Sequence, residues 1–206
     1  MPPAARTRRS PEARRAQLLE LGVELLASRT SLDDLPMDEL AAAAGISKGL
    51  VFHYFGSKRD FQLAVAEAAA DQFFAVTEPD PTLDLDAQLE QSIEVFVAYV
   101  RDHRDAYVNL VRGASSGDEA MRALFDRSRG RFVGRILERL GEAEPSPLLR
   151  LAVRGWVALA EELTLAWADD PEADGDEVRV LLRDSLAHVV LVGLTGQAVI
   201  PTVTPP

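Results

Sequence analysis

The chain contains no cysteine, so it can form neither a disulfide framework nor a thiolate metal site. Histidine is scarce as well: His53, His103 and His188 lie far apart and not at metal-ligand spacing. Only two lysines, Lys48 and Lys58, stand against 20 arginines. No apolar run approaches the ~18 residues of a membrane span. The nearest, Val189 to Ile200, is short and broken by Gly193 and Gly196. The opening MPPAARTRRSPEARR has arginines but no apolar stretch behind them, so no secretory signal is expected. These absences point to a cytoplasmic protein without a membrane partner. Nucleophile elbow, phosphate loop, dinucleotide fingerprint and zinc spacing are all missing. No enzyme activity, catalytic residue, metal site or cofactor is therefore expected. No strand alternation and no internal repeat is visible either.

What is present is a chain of 206 residues, 47% hydrophobic, enough for one large domain or two small ones. The net charge of −11 argues at first against nucleic acid, but it is unevenly spread. Residues 1–60 hold nine basic and eight acidic residues, while the remainder holds 13 and 25. A near-neutral head is thus joined to an acidic body, and only the head is suited to a polyanion. Five arginines fall within the first 15 residues, three of them, Arg6, Arg8 and Arg9, in a basic arm.

Residues 1–9 show no periodicity and read as a disordered arm. Ser10-Pro11 gives an N-cap and a first-turn proline, and leucines at helical spacing carry a helix to about Ser28. After a loop over Ser31 to Leu35, Pro36 opens a helix as its first residue, and that helix stops at Gly45. Ser47 caps a short helix ending near Tyr54, and Gly56 closes it. Ser57-Lys58-Arg59-Asp60 reads as a capping box opening a helix to about Val76. Further helices are expected near 85–103, 105–112, 118–140, 147–168 and 176–194, with a loose tail from Gly196. The expectation is an all-α fold of about nine helices.

The densest information lies in Asp38 to Lys58, DELAAAAGISKGLVFHYFGSK. It reads as helix, tight turn, helix and a second capped start, and both lysines fall inside it. A short helix with a basic first turn and an aromatic tail suits the DNA major groove. The residues LAAAAGISKGLVFHYFGSKRDF resemble the helix-turn-helix of TetR-type transcriptional regulators, a match that covers about Pro11 to Ala75. The resemblance implies a three-helix DNA-binding head over residues 10–56 and a helical ligand-binding and dimerisation body over 57–206. Three places depart from the usual pattern. Leu35-Pro36-Met37 stands where a Thr/Ser cap is common before the second helix, so a first-turn proline substitutes for a side-chain cap. Leu50 and Phe52 stand where a polar residue and a tyrosine are common, which removes possible phosphate contacts.

In such a head the second helix of the motif enters the groove. Ser47 and the helix's first amides can face a phosphate or a base edge. Lys48 suits phosphate or guanine, Gly49 permits close backbone approach, and Leu50 can touch a thymine methyl. His53 can bond phosphate or a base. Tyr54 and Lys58 match the family's phosphate-binding positions. Arg6, Arg8 and Arg9 could reach an adjacent minor groove. Phe52 and Phe55 are expected in the core.

A single head makes few contacts, so a homodimer on a pseudo-palindromic operator is expected. The resemblance places the pairing on the last two long helices, where Leu148, Leu151, Trp156, Leu159, Leu163, Val178, Leu182, Leu186, Val189 and Val190 supply apolar surface. It also implies a repressor released by a small-molecule inducer held in the body. Candidate wall residues are Phe96, Tyr107, Phe125, Phe132, Trp156 and Trp167, with His103 and Arg112 as polar anchors. The alternative is a helical protein-interaction module whose head no longer binds DNA.

Overall fold

The computed structural model describes residues 10–27, 32–105, 107, 108, 111, 118–170 and 172–196. Among them are eight α-helices, one short 3₁₀ turn (Leu32–Asp34) and no strand. The helices are α1 (Pro11–Leu26), α2 (Met37–Ala43), α3 (Lys48–Phe55), α4 (Lys58–Val76), α5 (Leu85–Asp102), α6 (Glu119–Arg139), α7 (Pro147–Asp169) and α8 (Gly175–Thr195). Arg104, Asp105, Tyr107, Val108 and Val111 are also helical, but the other residues of the ninth expected helix lie outside the described residues. The arm over 1–9 and the tail after Gly196 lie outside them too.

Short polar side chains set most helix starts by accepting orphan amides of the first turn. Ser10 accepts from Ala13, Ser47 from Leu50, Ser57 from Asp60, Asp84 from Ala87 and Ser146 from Leu149. The Ser57 hydroxyl also donates to Asp60 Oδ2 at 2.6 Å, so the expected capping box closes between side chains. α2 corrects one expectation. Pro36 is its N-cap, not its first helical residue, and no side chain caps the helix. Proline cannot donate, so its place at the boundary leaves no amide of its own unsatisfied.

The three-helix motif closes around Leu18, Leu26, Leu40, Val51, Phe55, Phe61 and Val65, which belong to one buried cluster. α1 packs directly on α4, where Gly22 lies against Val65 and Phe61. A second core joins α5, α6, α7 and α8 through residues such as Ile93, Val97, Trp156, Val157 and Leu182. α7 and α8 touch so closely that a Cβ on Gly193 would stand 2.9 Å from the Leu149 Cα. Trp156 adds a cross-tie by donating to the Leu182 carbonyl at 3.0 Å.

α4 belongs to both regions. Its first half enters the motif's core, and its last turns carry Phe73 into an aromatic group with Phe96, Tyr99, Tyr107 and Phe132. α6 runs beside it in the same direction. Arg59 pairs with Asp118, Arg127 with Glu67, Arg131 with Asp71, and both Arg135 and Arg139 with Glu78. Arginines four residues apart share one face of a helix, so from Arg127 onward α6 presents a rail of cations to a line of carboxylates, whereas at Arg59–Asp118 the carboxylate is the one on the α6 side.

Candidate DNA-reading helix and body cavity

α3 is held by its buried side and leaves its other face open. Val51 is fully buried and Phe55 nearly so, while Ser47, Lys48, Gly49, Leu50 and His53 are exposed. The turn before it depends on Gly45, whose φ of +66° is the left-handed conformation that glycine adopts without penalty. Ile46 then donates its amide to the Ala41 carbonyl at 2.9 Å and rests on the core. Arg14 completes the corner by donating to the Ala44 carbonyl at 3.0 Å, one of the acceptors left over at the end of α2. The sequence reading passed over Arg14, because nothing local ties it to a carbonyl 30 residues away.

The structure brings all seven sequence-derived head residues to α3 or to the start of α4. Lys48 Nζ lies 3.0 Å from Asp38 Oδ2, with both side chains well exposed. Such a pair is cheap to exchange for phosphate. Lys58 Nζ donates to the Asp33 carbonyl at 2.6 Å. A methyl at Gly49 would meet only open space apart from Ser47 Oγ at 4.0 Å. Leu50 is 38% exposed, a hydrophobe directed away from the core. His53 and Tyr54 form an edge-on ring pair, and Tyr54 rests partly on the core. Phe55 is core as expected, and Phe52 packs against it partly buried. Arg15, also passed over, lies 4.9 Å above the Phe55 ring. Arg6, Arg8 and Arg9 lie outside the described residues.

The body encloses a cavity of about 250 Å³ between α4, α5, α6, α7 and α8. Four of the expected wall residues line it: Phe96, Tyr107, Phe132 and Trp156. Three do not. His103 is exposed and stacks on Tyr99, Phe125 lies under the Arg129 guanidinium, and Trp167 covers Gly175 and donates to the Ala173 carbonyl. Arg112 lies outside the described residues. The polar wall residues Thr77, Gln88, Arg135, Arg139 and Glu161 went unrecognised. Their signal in sequence is weak, since isolated polar positions on amphipathic helices ordinarily face solvent. A wider depression, about 480 Å³, lies on the surface between α4 and α6. The arginines and carboxylates on its rim, such as Arg131 and Asp71, already pair with one another.

The electrostatics of the cavity follow from burial. Desolvation raises the Glu161 carboxyl above the usual range, and Arg129 opposes the shift. Burial also pushes the Tyr107 hydroxyl well up, with the Glu161 charge adding to it. Burial lowers the Arg135 guanidinium from its ordinary value, although Glu78 works against this. Among the described residues no group of three metal-ligating side chains occurs, and no helix is long and apolar enough to cross a membrane.

The comparisons with known proteins follow the same division. Residues 18–65 match the family described as bacterial regulatory proteins, tetR family. Residues 85–189 match the tetracyclin repressor-like C-terminal domain. A TetR-family transcriptional regulator from Streptomyces coelicolor is 32% identical, with 90% of this chain and 84% of that chain covered and a TM-score of 0.78. The chain belongs to the TetR family. It is accordingly a DNA-binding transcriptional regulator. A TetR-like regulator from Rhodococcus sp. RHA1 is 25% identical over 92% of this chain and 100% of that one, with a TM-score of 0.60. A regulator from Saccharomonospora viridis in complex with choline shares the fold at 19% identity and a TM-score of 0.62, over 87% and 97% of the two chains. No curated protein matches the chain.

Proposed function

We propose that this TetR-family protein is a cytoplasmic repressor. It binds a pseudo-palindromic operator as a homodimer and leaves it when a small molecule fills the body cavity. Residues 10–56 read DNA, and residues 57–206 hold the ligand and pair the protomers. The observation that carries the reading is the open face of α3, where Ser47, Lys48, Gly49, Leu50 and His53 surround a capped helix start. Lys58 and Tyr54 supply phosphate contacts beside it. In this reading the alternative, an interaction module without DNA affinity, would leave that polar face without a use.

Dimerisation is supported by the outer faces of α7 and α8. Leu148, Leu151, Leu159, Val180, Leu181, Leu191 and Leu194 are all more than a third exposed. Exposed large hydrophobes in this number on two packed helices favour an interface. The cavity supplies the inducer site, and its size and apolar wall fit a small organic molecule. A ligand shifts the DNA-binding equilibrium only through a difference in affinity between two head spacings.

The test is selection of bound fragments from genomic DNA by the purified protein, followed by sequencing. Recovery of one short palindrome is the expected result. Fragments without a shared motif at moderate salt would favour the interaction module.

A further inference from the structure

The cavity is polar at two places of different character, and the difference identifies a ligand class. The inference rests on the reading of this cavity as a ligand site. At one place Glu161 is matched by a single cation, for Arg129 donates to both of its carboxylate oxygens. A positively charged ligand would meet a carboxylate that is already compensated. The other place lies further along α6, where Arg139 stands ten residues beyond Arg129, about 15 Å at 1.5 Å per residue. There two guanidiniums share one carboxylate: Glu78 is 2.8 Å from Arg135 and 2.7 Å from Arg139. The two cations outnumber the carboxylate that they share. Asp86 also lines the cavity, from the first turn of α5, but it forms no ion pair with either arginine.

Arg135 is prepared for an anion. Its side chain is 10% exposed and is fixed by donation to the Phe74 carbonyl at 2.6 Å and to Thr77 Oγ1 at 3.2 Å. The Phe74 ring lies 3.5 Å from the guanidinium carbon. The Nε–H nevertheless has no acceptor, and Gln88 Oε1 has no donor; both atoms are buried and both residues line the cavity. Buried polar atoms without partners are rare and costly. A carboxylate accepts from Arg135 but cannot serve Gln88, which requires an O–H or N–H. Between the polar places the wall is apolar, formed by Ile93, Phe96, Phe132 and Val157.

We propose that the cavity takes a hydroxylated aliphatic acid, its carboxylate at Arg135 and Arg139, its hydroxyl donating to Gln88 and its tail along Ile93 and Phe96. At about 30 Å³ per non-hydrogen atom the cavity accommodates roughly eight such atoms. An acid of about six to eight carbons is of that order.

Titration calorimetry of the full chain tests this with four probes: β-hydroxyoctanoate, octanoate, octanol and octyltrimethylammonium. β-Hydroxyoctanoate is expected to bind tightest, and octanol about tenfold more weakly or worse, since one charge-assisted hydrogen bond supplies that factor. Glu78→Gln removes the competing carboxylate and should tighten both acids severalfold while leaving octanol unchanged. Gln88→Met should abolish the advantage of the hydroxy acid over octanoate. Octanol or the ammonium binding as tightly as the acids would overturn the acid class and leave the cavity a ligand site. Equal binding of the two acids to the natural sequence would overturn the role of Gln88. No binding of any probe would overturn the hydroxy-acid proposal, while the repressor reading would still stand or fall with the DNA selection.

Discussion

Gly22 lies where α1 crosses α4. An added Cβ would stand 2.5 Å from Val65 Cγ2 and 3.0 Å from Phe61 Cζ. Both neighbours are buried, so relief requires moving a helix. Gly22→Ala should cost about 1–3 kcal/mol, read as a lower denaturation midpoint. Gly130 is the control, because a Cβ there meets nothing within 4 Å in the middle of a helix. Gly130→Ala should stabilise by about 0.4–1 kcal/mol. An equal response of the two variants would remove close packing as the reason for Gly22. Lys58 gives a prediction of another kind. Lys58→Ala should weaken binding to every DNA sequence and reduce the salt slope by roughly one charge, as titrations at several salt concentrations would show. The place of Lys48 and Leu50 in the first turn of a short helix was legible because the Ser47 cap fixes where that helix begins. Arg14 was not, because its partner is chosen by the fold.

At the scale of elements, most helix boundaries followed from local chemistry: Ser10, Ser47, Ser57 and Ser146 cap where serine before a helical pattern suggests. Pro36 shifted by one position, since cap and first-turn proline look alike in sequence. The α4–α6 rail was invisible. Arginines spaced by four at 127, 131, 135 and 139 carry no local mark of a partner, and their partners lie far away in the chain, as Asp71 does for Arg131. The ion pair that precedes the rail, Arg59–Asp118, has a pH signature. Asp118 is held below the ordinary carboxylate range, chiefly by Arg59 and in part by the first amides of α6. Its contribution is therefore present above an unfolded value of about 4 and is lost as pH falls through the lower folded value. Asp118→Asn should flatten the acid limb of the stability curve between those limits, and denaturation midpoints across that range would show it. An unchanged acid limb would mean that the pair adds nothing.

For the whole molecule, the all-α class and the head were readable because each depends on periodicity and short-range turns. The cavity was half readable. Phe96, Tyr107, Phe132 and Trp156 line it, whereas Phe125 and Trp167 find other cover, and an aromatic at helical spacing carries no mark of which it will do. The apolar residues of α7 and α8 divide in the same way. Trp156, Leu182 and Leu186 are core, while Leu148, Leu151 and Leu159 remain outside. Leu151, at 68% exposed, is the most open large hydrophobe among the described residues. Leu151→Arg should leave the fold intact and convert a dimer to a monomer, seen as a halved mass in light scattering. A natural sequence that is itself monomeric would end the dimer reading.

The head's buried cluster is drawn entirely from Leu18 to Val65, whereas the body's second core joins Ile93 to Leu186. Closing short loops is entropically easier than closing long ones. A ribosome releases the whole of the head's core before the partners of Ile93 exist, and chains assemble from the amino end as they emerge. α4 would then stand as a finished post, one end fixed, against which α6 and its arginines are laid. Pulse-labelled hydrogen exchange during refolding should find amides over 18–65 protected before those over 156–186. The reverse order would mean that the body scaffolds the head.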